Sequence, residues 1–284
     1  MQIELLETFL DLMETSSFNR TAERLGVTQS TVSSRVQALE TALGSRLFER
    51  SRAGTRPTAA GQRFLDHART LRHEYNLARR AVRSAGRFAE SMRIGIQHDL
   101  AATHIGDWIS QFRKVLPQTA FYVELDYSNQ MCSDLLTGDL DLGVLFTPRN
   151  LPDLHHESLG EIAYRMISTD ATRLADVTPE RYILANYSPA FDKTHRQMLW
   201  NLSSAPLASG QNAAVCRLLE TAGGSAYVQE ESARAMVETG TYRYVGDAPS
   251  IPQSVYLSMH VRHRHSHAHR KLLAIVRRYF VMPA

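Results

Sequence analysis

Between Thr28 and Gln37 the chain carries side chains of the type that read a DNA duplex, at helical spacing. Gln29 can pair with adenine, and Ser30, Ser33 and Ser34 are short donors for bases or phosphates. Thr28 stands where a helix would start, Gln37 shares a face with Ser30 and Ser34, and Arg35 follows directly. Arg50, Arg52 and Arg56, clustered around Gly54 and Pro57, supply phosphate contacts, and an arginine there can enter a narrow minor groove. A second cluster lies near the other end, where RHRHSHAH (262–269) falls in a stretch holding five of the twelve histidines. His265 and His269, four apart, can share a zinc ion, but a closed site needs further ligands and no acid follows Met259. An exposed basic helix start is therefore the expectation, and no metal is assigned. GxSxG, HExxH, the phosphate-binding glycine loop and GxGxxG after a strand are all missing, and Asp139 and Asp141 are expected to flank a buried strand. The chain is read as a non-enzyme, with no cofactor.

These groups need elements to hold them. Ile3, Leu6, Leu10 and Met13 mark one helical face; Ser16-Ser17 offers a cap before a second helix carrying Phe18, Ala22 and Leu25, which Gly26 ends. Thr28 caps a third helix whose core stripe is Val32, Val36, Leu39 and Leu43, leaving Ser30, Ser34, Gln37 and Thr41 opposite. Phe18 to Gln37 is thus a helix-turn-helix, whose second helix would lie in the major groove. Leu47 to Thr58 predicts a short basic hairpin, or wing. From Ala59 to Arg87 a long helix is expected, about 45 Å at 1.5 Å per residue. Phe64, Ala68, Leu71, Tyr75, Ala78 and Val82 recur along it at 4 and 3 in alternation, a seam for a second helix and hence for self-association.

Length and charge fit this division. The 284 residues are 43% hydrophobic and 21% charged, enough for two domains with real cores. Residues 1–34 balance at −3, whereas residues 35–90 hold twelve arginines and no lysine against five acids, +7. That block is the footprint expected of a nucleic-acid binder. No run of about 18 apolar residues argues for a membrane span, and Cys132 and Cys216 form no CxxC pair, so a reducing cytoplasm is expected.

The remainder alternates. Strands are expected at Met92–Gln97, Ala120–Tyr127 and Leu140–Phe146, with helices at Leu100–Val115 and Asn129–Thr137 between them, which implies a parallel sheet covered by helices. Further strands are expected near Tyr164–Ser168, Arg181–Asn186, Pro206–Ser209 and Ala226–Gln229, with helices near Phe191–Leu202, Asn212–Ala222 and Glu231–Glu238. Strand Ser254–Val261 and a basic helix ending near Phe280 close the chain.

The head, with Leu39-Glu40, then Leu47, Phe48 and Arg50, and PTAAG after the wing, resembles the LysR-type family of bacterial transcription regulators. GDLDLGV (138–144) and TAGGSAYVQEE (221–231) are similar to family landmarks, and NYSPAFDKTH (186–195) is similar to the subgroup linked to flagellar gene control. Pro57 replaces a usual leucine, and Gly224-Ser225 a commoner Leu-Gly.

The resemblance implies an α/β protein with a winged helix-turn-helix domain (1–58), a linker and dimerisation helix (59–90) and a two-lobed, periplasmic-binding-protein-like effector domain (91–284). Its lobes would be 91–161 with 256–284, and 162–255. The implied partners are double-stranded DNA, a second copy, a tetramer through the effector domains, and RNA polymerase. A small-molecule effector would lie in the cleft at the strands' C-terminal ends. His98, Asp99 and Thr103, Ser128 and Asn129, and Phe146 and Thr147 come from one side, Asn186, Ser209 and Gln211 from the other. Helix starts there favour an anion. Asp99 either caps its own helix or meets the ligand. An architectural DNA binder with a rear domain used only for assembly is the alternative reading.

Overall fold

A computed structural model describes residues 2–51, 54–83 and 90–280, without the side chains of residues 50, 51, 81, 83 and 102. It divides into two compact units, 1–87 with 136–139, and 88–135 with 140–284.

The first unit opens with three helices, α1 (Ile3–Thr15), α2 (Phe18–Leu25) and α3 (Gln29–Leu43). Each start follows from local chemistry. Ser17 accepts the Arg20 N–H and Thr28 accepts the Thr31 N–H, taking up donors that a helix leaves free. Gly26 and Gly44 close α2 and α3 in left-handed backbone. Val32, Val36 and Leu39 are buried against Leu6, Phe9, Leu10 and Leu12 of α1. Leu43 departs from the expected stripe: it is 39% exposed, because the α3 core contact ends with Leu39 before the helix reaches its cap.

The wing is a two-stranded hairpin, β1 (Phe48–Ser51) with β2 (Gly54–Pro57). Glu40 ties it to α3, accepting the Leu47 N–H at 2.7 Å and the Phe48 N–H at 3.1 Å. Then α4 runs from Ala59 to Arg83. Its expected seam divides. Phe64 packs on Phe9, with ring centroids 5.2 Å apart, and Ala68 is fully buried in the same core, so both are spent inside one chain. Leu71, Tyr75, Ala78 and Val82 stay exposed, Val82 at 78%.

The second unit is built as β3 (Glu90–Ile96), α5 (His98–Val115), β4 (Thr119–Leu125), α6 (Ser128–Thr137), β5 (Leu142–Leu145) and β6 (Leu154–Ser168). There follow β7 (Tyr182–Ala185), α7 (Pro189–Met198), β8 (Leu207–Ser209), α8 (Asn212–Ala222), β9 (Ser225–Gln229) and α9 (Glu230–Glu238). β10 (Arg243–Tyr244), β11 (Ile251–His260) and α10 (His267–Arg277) complete it. One sheet runs β4-β3-β5-β11-β6-β9-β7-β8, with β10 against β6.

The parallel sheet expected from the βαβαβ stretch is realised, but the long strands that follow pair antiparallel. β3 pairs in parallel with β4 and β5, and β7 with β8 and β9, but β6 and β11 are antiparallel to each other and to their outer neighbours. β6 is fifteen residues long where a short strand was expected, since LHHESLGEIA shows no clean alternation of apolar and polar residues. β6 and β11 pass between two separate cores. One gathers Ile94, Trp108, Phe112, Leu257 and Val276; the other gathers Tyr164, Tyr182, Phe191, Val215 and Tyr227. On β11 the change from one core to the other falls between Ile251 and Val255, and the register shifts just beyond it, between Val255 and Tyr256. The turn at Gly224 accepts glycine alone: its φ is +94°, and a Cβ would stand 2.1 Å from the Arg181 carbonyl oxygen.

The histidine-rich stretch also departs from expectation. α10 begins only at His267, so His265 and His269 do not share a helical face. His269 is 4% exposed, not on a solvated helix start; its Nε2 donates to the Asp141 carbonyl at 3.1 Å, and its ring stacks on His263 at 4.8 Å. Among the described residues no group of three or more His, Cys, Asp or Glu is placed to hold a metal. Burial, then the charge of His263, drives the pKa of His269 down to about 4. The folded chain therefore binds fewer protons here than the unfolded chain between pH 6.5 and 4. The stability this group supports is whole above about pH 6.5 and is lost as acid carries the pH down through 4, by roughly 3 kcal/mol. Urea titrations at pH 7 and pH 4.5 check this: His269→Gln, which keeps a donor for Asp141, should lose less stability on acidification than the wild type.

Candidate functional site

The exposed face of α3 collects the groups expected to read bases. Gln29, Ser30, Ser34 and Gln37 are exposed, opposite buried Val32, Val36 and Leu39, and Ser33 is half-buried on the flank. Ser33 and Gln37 edge a groove shared with Phe18, Thr41 and Arg46, and Gln29 edges another with Asn19, Arg20 and Thr55. Two expected contacts are partly engaged within the chain. Thr28 uses its hydroxyl as the cap and meets Ser30 Oγ at 2.9 Å, and Arg35 Nη1 donates to Thr8 Oγ1 at 3.4 Å. Arg56 is exposed on β2, opposite Glu49 in the hairpin register. Arg50 lies opposite Thr55 in β1, and Arg52 falls outside the described residues. A narrow helix bearing short uncharged donors, beside a basic hairpin, fits a groove whose walls are phosphates.

The second unit carries a cavity of about 410 Å³ between its two cores. Ser128, Asn129, Thr147 and Asn186 line it, as expected, together with Gln97, Tyr127, Tyr187, Ser188, Pro189 and Asp192. Ser128 organises one wall. Its hydroxyl donates to Gln97 Oε1 at 3.1 Å and accepts the Phe146 and Thr147 N–H groups at 3.1 Å each. Phe146 itself is buried in the core behind. Thr147 Oγ1 is buried and makes no hydrogen bond within the described chain. On the other wall Ser188 caps α7 by accepting the Phe191 N–H, and its hydroxyl donates to Gln253.

Other expected residues are placed differently. His98 lies against Tyr127, ring to ring at 5.1 Å, behind the lining. Thr103 is exposed one turn further along α5, and Ser209 and Gln211 are engaged in the turn before α8, where the Gln211 N–H donates to Ser209 Oγ. Asp99 does not cap α5: the cap position is Gln97, without a side-chain bond, and both Asp99 oxygens reach the opposite core. Ser188-Pro189 is an ordinary helix-start signal that could have placed this wall. Gln97, Tyr127 and Tyr187 enter only because strands and helices converge from distant parts of the chain.

The matching families decide what this pair of units is. Residues 3–62 match the bacterial regulatory helix-turn-helix protein model of the LysR family, and residues 85–281 match the LysR substrate-binding domain. The chain belongs to the LysR family. It is a DNA-binding transcription regulator with an effector-binding domain, as the residues of the head implied. Among relatives, the HTH-type transcriptional regulator HdfR of Yersinia enterocolitica is 30% identical over 241 residues, 81% of this chain and 82% of that one. LysG from Corynebacterium glutamicum, solved with bound effector Arg, covers 98% of this chain and 97% of its own at a TM-score of 0.56 and 19% identity. DarR from Vibrio fischeri, solved in complex with DNA, covers 97% and 98% at a TM-score of 0.57 and 18% identity. Both structures share the LysR fold, with a two-lobed rear domain. No helix among the described residues is long and apolar enough to cross a membrane.

Proposed function

We propose that α3 enters the major groove of an operator, that Arg56, Arg50 and Arg52 hold the flanking phosphates, and that two chains pair through the exposed half of α4. A small molecule in the interlobe cavity then biases the DNA-bound state, through its different affinities for the lobe arrangements. The observation that carries the reading is the α3 face itself: exposed, uncharged and hydrogen-bonding, it lies directly opposite the stripe that holds the head together. That LysG is solved with an effector and DarR with DNA supports the two halves of the assignment by analogy.

The cavity half is tested at Thr147, whose hydroxyl has no partner among the described residues and which lines the space. A thermal-shift screen of small polar metabolites on the full chain should give hits that Thr147→Val weakens about tenfold, close to one lost hydrogen bond. Footprinting of the same variant on its operator should match the wild type without ligand. Hits that Thr147→Val leaves untouched would place the effector elsewhere.

A further inference from the structure

The start of α8 is already occupied. Helix starts gather unpaired N–H groups and positive potential, and in a cleft they attract an anion. The cap residue of α8, Gln211, supplies no side-chain bond. Instead Asp99, from the first turn of α5 and thus from the other core, accepts the Asn212 N–H at 2.8 Å. Its second oxygen accepts the Tyr164 hydroxyl at 2.9 Å. Asp99 is 5% exposed.

The receiving groups are held in place on all sides. Asn212 accepts the Gln229 N–H and donates to Ser232 Oγ, both at 2.8 Å, and Tyr164 stacks on Tyr187 at 4.3 Å. What meets the carboxylate is a backbone N–H, a phenol and neighbouring His98 rather than a guanidinium or ammonium. Burial raises its pKa against the pull of those partners. A carboxylate desolvated beside no guanidinium or ammonium costs stability, so its place at a helix start calls for a reason beyond packing.

We propose that Asp99 is a built-in substitute for an effector's carboxylate: it fills the anion site at the start of α8 and ties the two lobes together without any added molecule. The neighbouring cavity is then left to small molecules without net negative charge. Among the described residues lining that cavity there is no lysine or arginine, and its one acid, Asp192, pairs with Arg196 at 2.9 Å. This inference rests on the cleft being the effector site, and it reverses the anionic ligand that helix starts alone would favour.

Chemical rescue tests it. In full-length Asp99→Ala the melting temperature should fall by several degrees, and sodium formate should restore part of that loss saturably, while sodium chloride at equal ionic strength should not. In the wild type, formate should do no more than chloride. Equal stability of Asp99→Ala and wild type, or the same response to formate and chloride in the variant, overturns the proposal. Should Asp99→Ala not fold, Asp99→Asn serves: the amide keeps the shape without the charge, and a melting temperature equal to the wild type's counts against the carboxylate. Formate rescue without any ligand hit in the wild type would sustain the Asp99 role and remove the effector reading; ligand hits without rescue would do the reverse.

Discussion

With glutamate at both position 34 and position 37, operator binding should fall about 100-fold or more while the chain stays folded. Ser34 and Gln37 are exposed on α3, away from Val32, Val36 and Leu39, so the double variant Ser34→Glu with Gln37→Glu removes no core contact. Substitutions at such positions usually change stability by less than about 0.5 kcal/mol, and glutamate is a good helix former. Against DNA the effect is different. Two groups that can donate or accept are replaced by two negative charges facing base edges between rows of phosphates. Each mismatched contact costs about 1–3 kcal/mol, and repulsion adds to that. Fluorescence anisotropy on an operator fragment, beside a thermal melt, reads both sides. Near-normal affinity in a folded double variant would mean that α3 is not the reading helix. Val36→Glu is the contrast: the residue is 5% exposed, so a charge there should unfold the head and lose DNA binding for a trivial reason.

The second large effect is expected at the exposed half of α4. Leu71 and Tyr75 are 42% and 45% exposed in the single chain, so lysine at both leaves each chain folded. In a helix pair the same lysines would be buried without partners, costing several kcal/mol. Sedimentation should therefore show Leu71→Lys with Tyr75→Lys as a smaller species, and DNA affinity should drop with it, because two linked heads bind far more tightly than one. An unchanged oligomer would move the interface off this face. Ala68→Asp is predicted to act otherwise, since Ala68 is buried within its own head. Its damage should appear as lost folding at any protein concentration.

How far the sequence reached depends on the range of the forces involved. The three head helices were legible to within a residue or two because their causes are local. A hydroxyl three residues ahead of an N–H, a glycine that turns left-handed and an apolar residue every third or fourth position act within one turn of backbone. The exposed polar face of α3 came from the same periodicity, and the βαβαβ opening of the second unit from its alternation. Helix α4 was legible too, but not how its apolar stripe divides, because whether Phe64 and Ala68 meet a partner or their own α1 depends on how α4 crosses the head.

Tertiary structure alone decided the rest. The antiparallel passage of β6 and β11 through both cores is a matter of pairing between segments about a hundred residues apart, and nothing in LHHESLGEIA announces it. His269 became a neutral core histidine rather than part of a solvated basic helix start, because the fold brought Asp141 to it from 128 residues away. Asp99 illustrates the limit most clearly. In sequence it is an acid in a first helical turn, where the helix dipole alone would explain it. Its hydrogen bonds run to Tyr164 and Asn212, 65 and 113 residues away. Local propensity fixes what a segment can become. Which buried polar group meets which is set only when distant elements close over them and every desolvated donor and acceptor must find a partner.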